Sequence, residues 1–237
     1  MKCVAFDFEL ANTRGLTNLK KGDNIWALRP LNISVGATYC LPEKTVDLWF
    51  SRDTTGAPRR RGMRRRDVKH LVDTLYDYQQ KGLPIVSWNG TGFDFQLLAR
   101  LLPQRKDDIV EMVLKSYDPM FQLLCSIGYM PGLEAAGLGI GLPPKPMKGA
   151  SAPALWGQGF FAEVMDYVSH DAITTGIIAE HIFTMHSLSW ITKTGDRHWE
   201  PIPRLLTVEQ CLGLPVPKTG SMQNPLKRED FINWFDE

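Results

Sequence analysis

Residues 3 to 10 alternate in the period of a β-strand, with Val4, Phe6, Phe8 and Leu10 on one face and Cys3, Ala5, Asp7 and Glu9 on the other. Apolar runs at Ile33 to Cys40 and Thr45 to Phe50, joined by Leu41-Pro42-Glu43-Lys44, predict two further strands and a three-stranded antiparallel unit. From Asp67 the spacing becomes helical, with Val68, Leu71, Val72, Leu75 and Tyr78 on one face and Gly82 and Pro84 ending the element. Ile85 to Trp88 reads as a short apolar strand, and Asn89-Gly90-Thr91-Gly92 turns the chain into a helix carrying Phe93, Leu97, Leu98, Leu101 and Leu102. Helices are expected near 107–116 and 119–127, the second capped by Asp118 with Pro119 at its first position. The glycine- and proline-rich stretch 128–151 predicts a loop with one short helix near Glu134, followed by a long helix from Phe160 to Met185.

Composition changes after that helix. Residues 187–237 hold five prolines and three tryptophans, so the chain divides into a main domain, 1–186, and a C-terminal accessory segment, 187–237. Within the segment, Thr207-Val208-Glu209-Gln210 forms a capping box for a short helix ended by Gly213. A last helix is expected with Asn224 as cap, Pro225 at the first position and Phe231, Trp234 and Phe235 on its apolar side. So short a helix is marginal alone, and docking on its own chain is expected.

The chain has 237 residues, 43% hydrophobic and 22% charged, the balance of a globular protein with a buried core. The net charge of +1 points to no acidic partner in bulk. Cys3, Cys40, Cys125 and Cys211 lack zinc-finger spacing and read as reduced thiols. Acids at positions 7 and 9 interrupt any signal-peptide run, so a cytoplasmic location is expected; glycines and prolines break the weakly charged stretch 118–145, so no membrane span is expected.

The candidate chemistry lies in acids where a core expects apolar groups. Asp7 and Glu9 project from the same strand face, which suits either a solvated face or a bound cation. Asp171 interrupts the inward stripe Val164, Tyr167, Val168, Ala172, Thr175, Ala179 and Ile182, and Tyr167, four residues earlier, shares its face. A hydroxyl-to-carboxylate pair in the core would explain these two equally well. Asp94 lies in a first helical turn, where an acid also complements the helix dipole.

In combination, Phe6-Asp7-Phe8-Glu9, Asn89-Gly90-Thr91-Gly92-Phe93-Asp94 and Tyr167-Val168-Ser169-His170-Asp171 resemble the three exonuclease motifs of the DEDD superfamily, in its Tyr-x-x-x-Asp subclass. The chain is similar to stand-alone exonucleases related to the family-B DNA polymerase proofreading domain, to RNase D and to the Werner-type exonucleases. The sister subclass has His five residues before the last Asp, where this chain has Asp166. The resemblance covers residues 1 to 186 and implies an RNase H-like α/β fold with a mixed central sheet and flanking helices. It implies a metal-dependent 3′ to 5′ exonuclease acting on a nucleic acid with a 3′ end and releasing nucleoside monophosphates. Two divalent ions, Mg2+ or Mn2+, are implied, with Asp7, Glu9 and Asp171 on the ion that activates water, Asp7 bridging to the second and Asp94 serving it directly or through water. Tyr167 would orient the water, and Leu10, Asn89 and Phe93 would contact substrate.

Weaker signals remain. Arg59, Arg60, Arg61, Arg64, Arg65 and Arg66 form a cluster, and without them 21 basic residues face 26 acids, a net of −5. They are candidates for phosphate contact, with Lys145 and Lys148 second. Gly137-Leu138-Gly139-Ile140-Gly141 is followed by prolines rather than a helix and is no dinucleotide fingerprint. The rival expectations are a non-catalytic RNase H-like module that binds nucleic acid or a protein, and an RNase H-like endonuclease.

Overall fold

The computed structural model of the chain describes residues 1–11, 25–27, 31–145, 147–220, 222 and 225–236. Strand β1 (Cys3–Leu10) pairs antiparallel with β2 (Ile33–Leu41), which pairs antiparallel with β3 (Thr45–Trp49). The two-residue β4 (Ile85–Val86) joins the opposite edge of β1 in parallel, giving a mixed sheet of order β3-β2-β1-β4. Past β4, Tyr117 bridges Val86 in parallel and Thr207 antiparallel, carrying the sheet edge outward by single bridges.

The alternation in β1 becomes a two-faced core. Val4, Phe6, Phe8 and Leu10 pack under α1 (Arg65–Gln80), α2 (Asp94–Leu101), α3 (Lys106–Leu114) and α4 (Pro119–Ile127). On the other face, Cys3 and Ala5 join Val35, Ala37 and Tyr39 against α6 (Ala152–Gln158) and the 25-residue α7 (Phe161–Met185). The architecture is therefore mixed α/β, with helices on both faces of a mixed sheet. A third cluster gathers Trp88, Leu123, Ile178, Ile182, Leu188, Trp190 and Ile202 between α4, α5 (Leu133–Gly139), α7 and a hairpin of β5 (Ser187–Ile191) and β6 (Arg197–Pro201).

Several boundaries differ from expectation for local reasons. The strand expected over Ile85 to Trp88 stops at Val86: the Ser87 amide donates to Tyr117, Trp88 packs into the third cluster, and Asn89 adopts a left-handed φ of 69°. Helix α6 and the hairpin are additions, the first short and bearing proline and glycine, the second half polar. The capping box opens α8 (Val208–Leu212) as expected, the Thr207 hydroxyl accepting from the Gln210 amide at 3.3 Å and Gln210 Oε1 from the Thr207 amide at 3.1 Å. The last helix, α9 (Glu229–Ile232), starts four residues after Pro225, and the expected cap Asn224 lies outside the described residues.

The C-terminal segment does not build a core of its own. Leu206, Val208, Cys211 and Trp234 sit in the cluster beneath β1, and Leu188, Trp190 and Ile202 in the third. The expected docking in cis is present. All four cysteines are free thiols, three buried and Cys40 half-buried. Among the described residues no helix is long and apolar enough to cross a membrane.

Candidate active site

The inner face of β1 and one turn of α7 bring three acids together. Carboxylate oxygens of Asp7, Glu9 and Asp171 lie within 4.8 Å of one another, Asp171 buried and the other two half-buried. One oxygen of Asp171 has a partner: Lys145, from the loop after α5, places Nζ 2.5 Å from Oδ2. The other, Oδ1, is buried and has no hydrogen-bond partner among the described residues.

Asp94 stands outside that group of three but beside it. It is buried at the first turn of α2, and among neighbouring charges it is the one that most raises the Asp7 pKa. The shortness of β4 gives Asp94 its place. The Val4 amide points to that edge of the sheet, donating to Pro84, so the even-numbered amides of β1 face the same way. Beyond Val86 no strand among the described residues meets them, and the Asp94 carboxylate accepts the Phe8 amide.

Burial dominates the titration of all four acids. It lifts Asp7 well above the usual carboxylate range, helped by Asp94, Asp171 and Glu9 and opposed by Lys145. Burial, with Asp171 and Asp94, pushes Glu9 to about 8; burial, with Asp118, pushes Asp94 to about 8. Asp171 is also raised by burial, against the Lys145 ammonium and the Tyr167 hydroxyl, which donates to it. Among the described residues one ammonium faces these four carboxylates, which leaves most of their negative charge, when ionised, uncompensated.

Tyr167 is buried one turn before Asp171, with its hydroxyl 3.1 Å from Lys145 Nζ and the ammonium 5.1 Å from the ring centre. Burial and the surrounding acids push the phenol well above its ordinary range. The loop residue Gly149 passes so close that a β-carbon there would lie 2.9 Å from the hydroxyl. Lys145 itself is anchored through its amide to Glu134 Oε1 at 3.3 Å.

The other sequence candidates fall around this centre. Asn89 and Phe93 are half-buried on the turn before Asp94, and the Phe93 ring leans on Phe8 and Trp26, with ring centres 6.0 and 5.4 Å away. Leu10 is buried in the core, paired with Ile33. Asp118 caps α4, accepting the Phe121 amide at 3.1 Å, and also ties down the Asn89 and Thr91 amides at 3.1 and 3.0 Å. Its expected structural role is therefore wider than a cap.

The arginine loop lies at the same end of β1 as the acids. Ala11 donates to Asn32, Asn32 Nδ2 to the Arg61 carbonyl, and the Met63 amide to Ile33. Arg59, Arg60 and Arg64 donate to the carbonyls of Gly62, Gly157 and Arg52, Arg65 to the Gln104 amide oxygen, and Arg66 pairs with Asp67 at 3.5 Å. Lys148 is exposed three residues past Lys145. Sequence patterning missed Lys145 as a member of the acid cluster, because a loop lysine carries no periodicity; it also missed Trp234 and Phe231, which reach the turn before Asp94 from the other end of the chain. No protein-family model matches the chain, and no curated protein matches it either.

Proposed function

We propose that the chain is a metal-dependent 3′ to 5′ exonuclease that hydrolyses DNA or RNA to nucleoside monophosphates on an RNase H-like scaffold. The observation that carries this reading is the convergence of Asp7, Glu9 and Asp171 within 4.8 Å, where among the described residues one Asp171 oxygen is buried and unpartnered and Lys145 is the one ammonium for counter-charge. Such a donor set, all oxygen and strongly anionic, fits hard divalent cations such as Mg2+ or Mn2+. Asp7, Glu9 and Asp171 would hold one ion and Asp94, beside Asp7, a second. When bound, the ions would supply an activated water and charge stabilisation for the departing 3′ oxygen.

The chain's own groups account for the remaining work. An ordinary phenol already keeps its proton near neutral pH, and in the metal-free site burial and the neighbouring acids hold the Tyr167 hydroxyl higher still. It therefore acts by orienting water through its hydroxyl and not as a base. Asn89 and Phe93, on the turn leading to Asp94, suit contact with the 3′-terminal nucleotide, Leu10 lies behind them in the core, and Lys148 and the arginine loop suit phosphates farther along the strand. The sheet order β3-β2-β1-β4, antiparallel in its first three strands and parallel at the fourth, with helices on both faces, supports the RNase H-like assignment.

Digestion of 3′- and 5′-labelled DNA and RNA oligonucleotides with Mg2+, Mn2+ or EDTA tests the proposal. Stepwise shortening from the 3′ end, abolished by EDTA, is expected. Cutting of circular substrates would replace it with an endonuclease. A non-catalytic binding module is the second reading, favoured by the Lys145–Asp171 ion pair, because an ammonium can stand where an ion would; binding without cleavage in every metal would establish it.

A further inference from the structure

Asp94 follows a turn that is held from outside as well as by its own backbone hydrogen bonds. Asn89 adopts a left-handed φ of 69°, a conformation that asparagine tolerates better than most residues with a side chain. Asp118 supplies one restraint by accepting the amides of Asn89 and Thr91. The C-terminal segment supplies another. Trp234, 2% exposed, donates Nε1–H to the Thr91 carbonyl at 2.9 Å across 143 residues of sequence. Phe231 packs against Gly92 so closely that a β-carbon there would lie 2.3 Å from the ring. The segment is itself fastened: Phe231 leans on Phe121, with ring centres 6.4 Å apart, and Arg228 donates to the carbonyls of Leu212 and Leu214 at 3.1 and 2.8 Å.

We infer that Trp234 and Phe231 are positioning residues for Asp94, an inference that rests on the nuclease reading above. The group of three carboxylates is built from β1 and α7, and among the described residues no hydrogen bond or ion pair joins it to the segment. Asp94 alone depends on the turn that the segment clamps. A ligand carboxylate must be held to a fraction of an ångström, so slack in that turn is felt at the second ion before the first. The C-terminal segment thereby makes competence of the site conditional on the far end of the chain, although it contributes no group to the chemistry.

The test uses the full chain with Trp234→Phe, which keeps a ring and deletes the donor, and Gly92→Ala, which drives a methyl into Phe231. The Phe93 and Phe95 amides donate to the carbonyls of Asn89 and Gly90 at 3.0 Å each, and their hydrogen exchange in EDTA reports on the turn. Expected are exchange about three- to tenfold faster at these two amides, the worth of one hydrogen bond, with β1 amides unchanged. A Mn2+ titration should keep one tight ion and weaken the second by a similar factor. Uniform acceleration along the chain, or unchanged exchange at Phe93 and Phe95, would overturn the inference. A wild-type protein that neither binds Mn2+ nor cuts would sink the nuclease reading, while the exchange measurement would still decide whether the segment holds the turn.

Discussion

Among the described residues four carboxylates share the Lys145 ammonium, which makes the metal-free site an electrostatic cost, and that cost is measurable. Glu9 and Asp94 titrate near 8 in the fold, whereas the unfolded chain ionises them near ordinary carboxylate values. Between those limits the folded state holds more protons than the unfolded one, so stability falls as pH rises from the ordinary carboxylate range to about 8. In EDTA the melting temperature should drop across that interval, and added Mn2+ should raise it more at the alkaline end, where the acids are ionised and ready to bind. A melting temperature in EDTA that rises across the same interval would contradict the assigned environments. Replacing an acid acts on the same balance. Asp7→Asn removes a repelling charge, so the metal-free melting temperature should stay level or rise at alkaline pH, whereas Asp171→Asn also gives up the ion pair with Lys145 and should not gain stability; cleavage falls by roughly 100-fold or more in both. Tyr167→Phe should slow cleavage but leave Mn2+ affinity in place, because only the water-orienting hydroxyl is lost. Calorimetric titration beside the cleavage assay separates the two classes of variant.

At the scale of elements, the tightest joint is between α5 and the hairpin. A β-carbon on Gly139 would lie 2.1 Å from the Ser189 carbonyl oxygen, and Arg197 binds the Gly139 carbonyl at 2.7 Å. Gly139→Ala must push the hairpin off α5 and should cost about 1–3 kcal/mol in a urea titration, with exchange speeding up first in β5 and β6. Such a glycine looks like loop composition in the sequence, which is why Gly137 to Gly141 reads there only as a failed fingerprint. The elements that were legible bury one face in a regular period: the alternation of β1 and the stripe of α7 each betrayed their acids by placing a charge where the pattern calls for a hydrocarbon. The hairpin was hidden because β6, Arg197–Pro201, is mostly exposed and so has no apolar side to alternate. Helix α6 was hidden by its length and its proline. Lys145 and Trp234 were singled out in the sequence, but their contacts with Asp171 and Thr91 were not visible there, since these partners are 26 and 143 residues away and no local period encodes a long-range contact.

Across the whole molecule the charge is nearly balanced in sum and uneven in space, with acids buried at the centre and arginines gathered on a loop at the same end of β1. A polyanion approaching the carboxylates needs such a counterweight, and the loop provides it only through guanidinium groups that are free to turn outward. Arg59 and Arg64 are half-buried and hold backbone carbonyls, and Arg60 reaches across to α6, so their loss would loosen the loop as well as remove charge. Arg61 and Arg66 are exposed, and neither donates to a backbone carbonyl among the bonds described. Replacing both by Gln should therefore leave the melting temperature unchanged and weaken oligonucleotide binding through lost counterion release alone. For a single strand, each lost phosphate contact lowers the slope of log affinity against log salt by about 0.7, so the double variant should flatten it by about 1.4. Binding is best followed by fluorescence anisotropy in Ca2+ or EDTA, where the oligonucleotide stays intact. An unchanged slope would mean that the strand takes another path over the surface and that the cluster serves to fasten its own loop to α6.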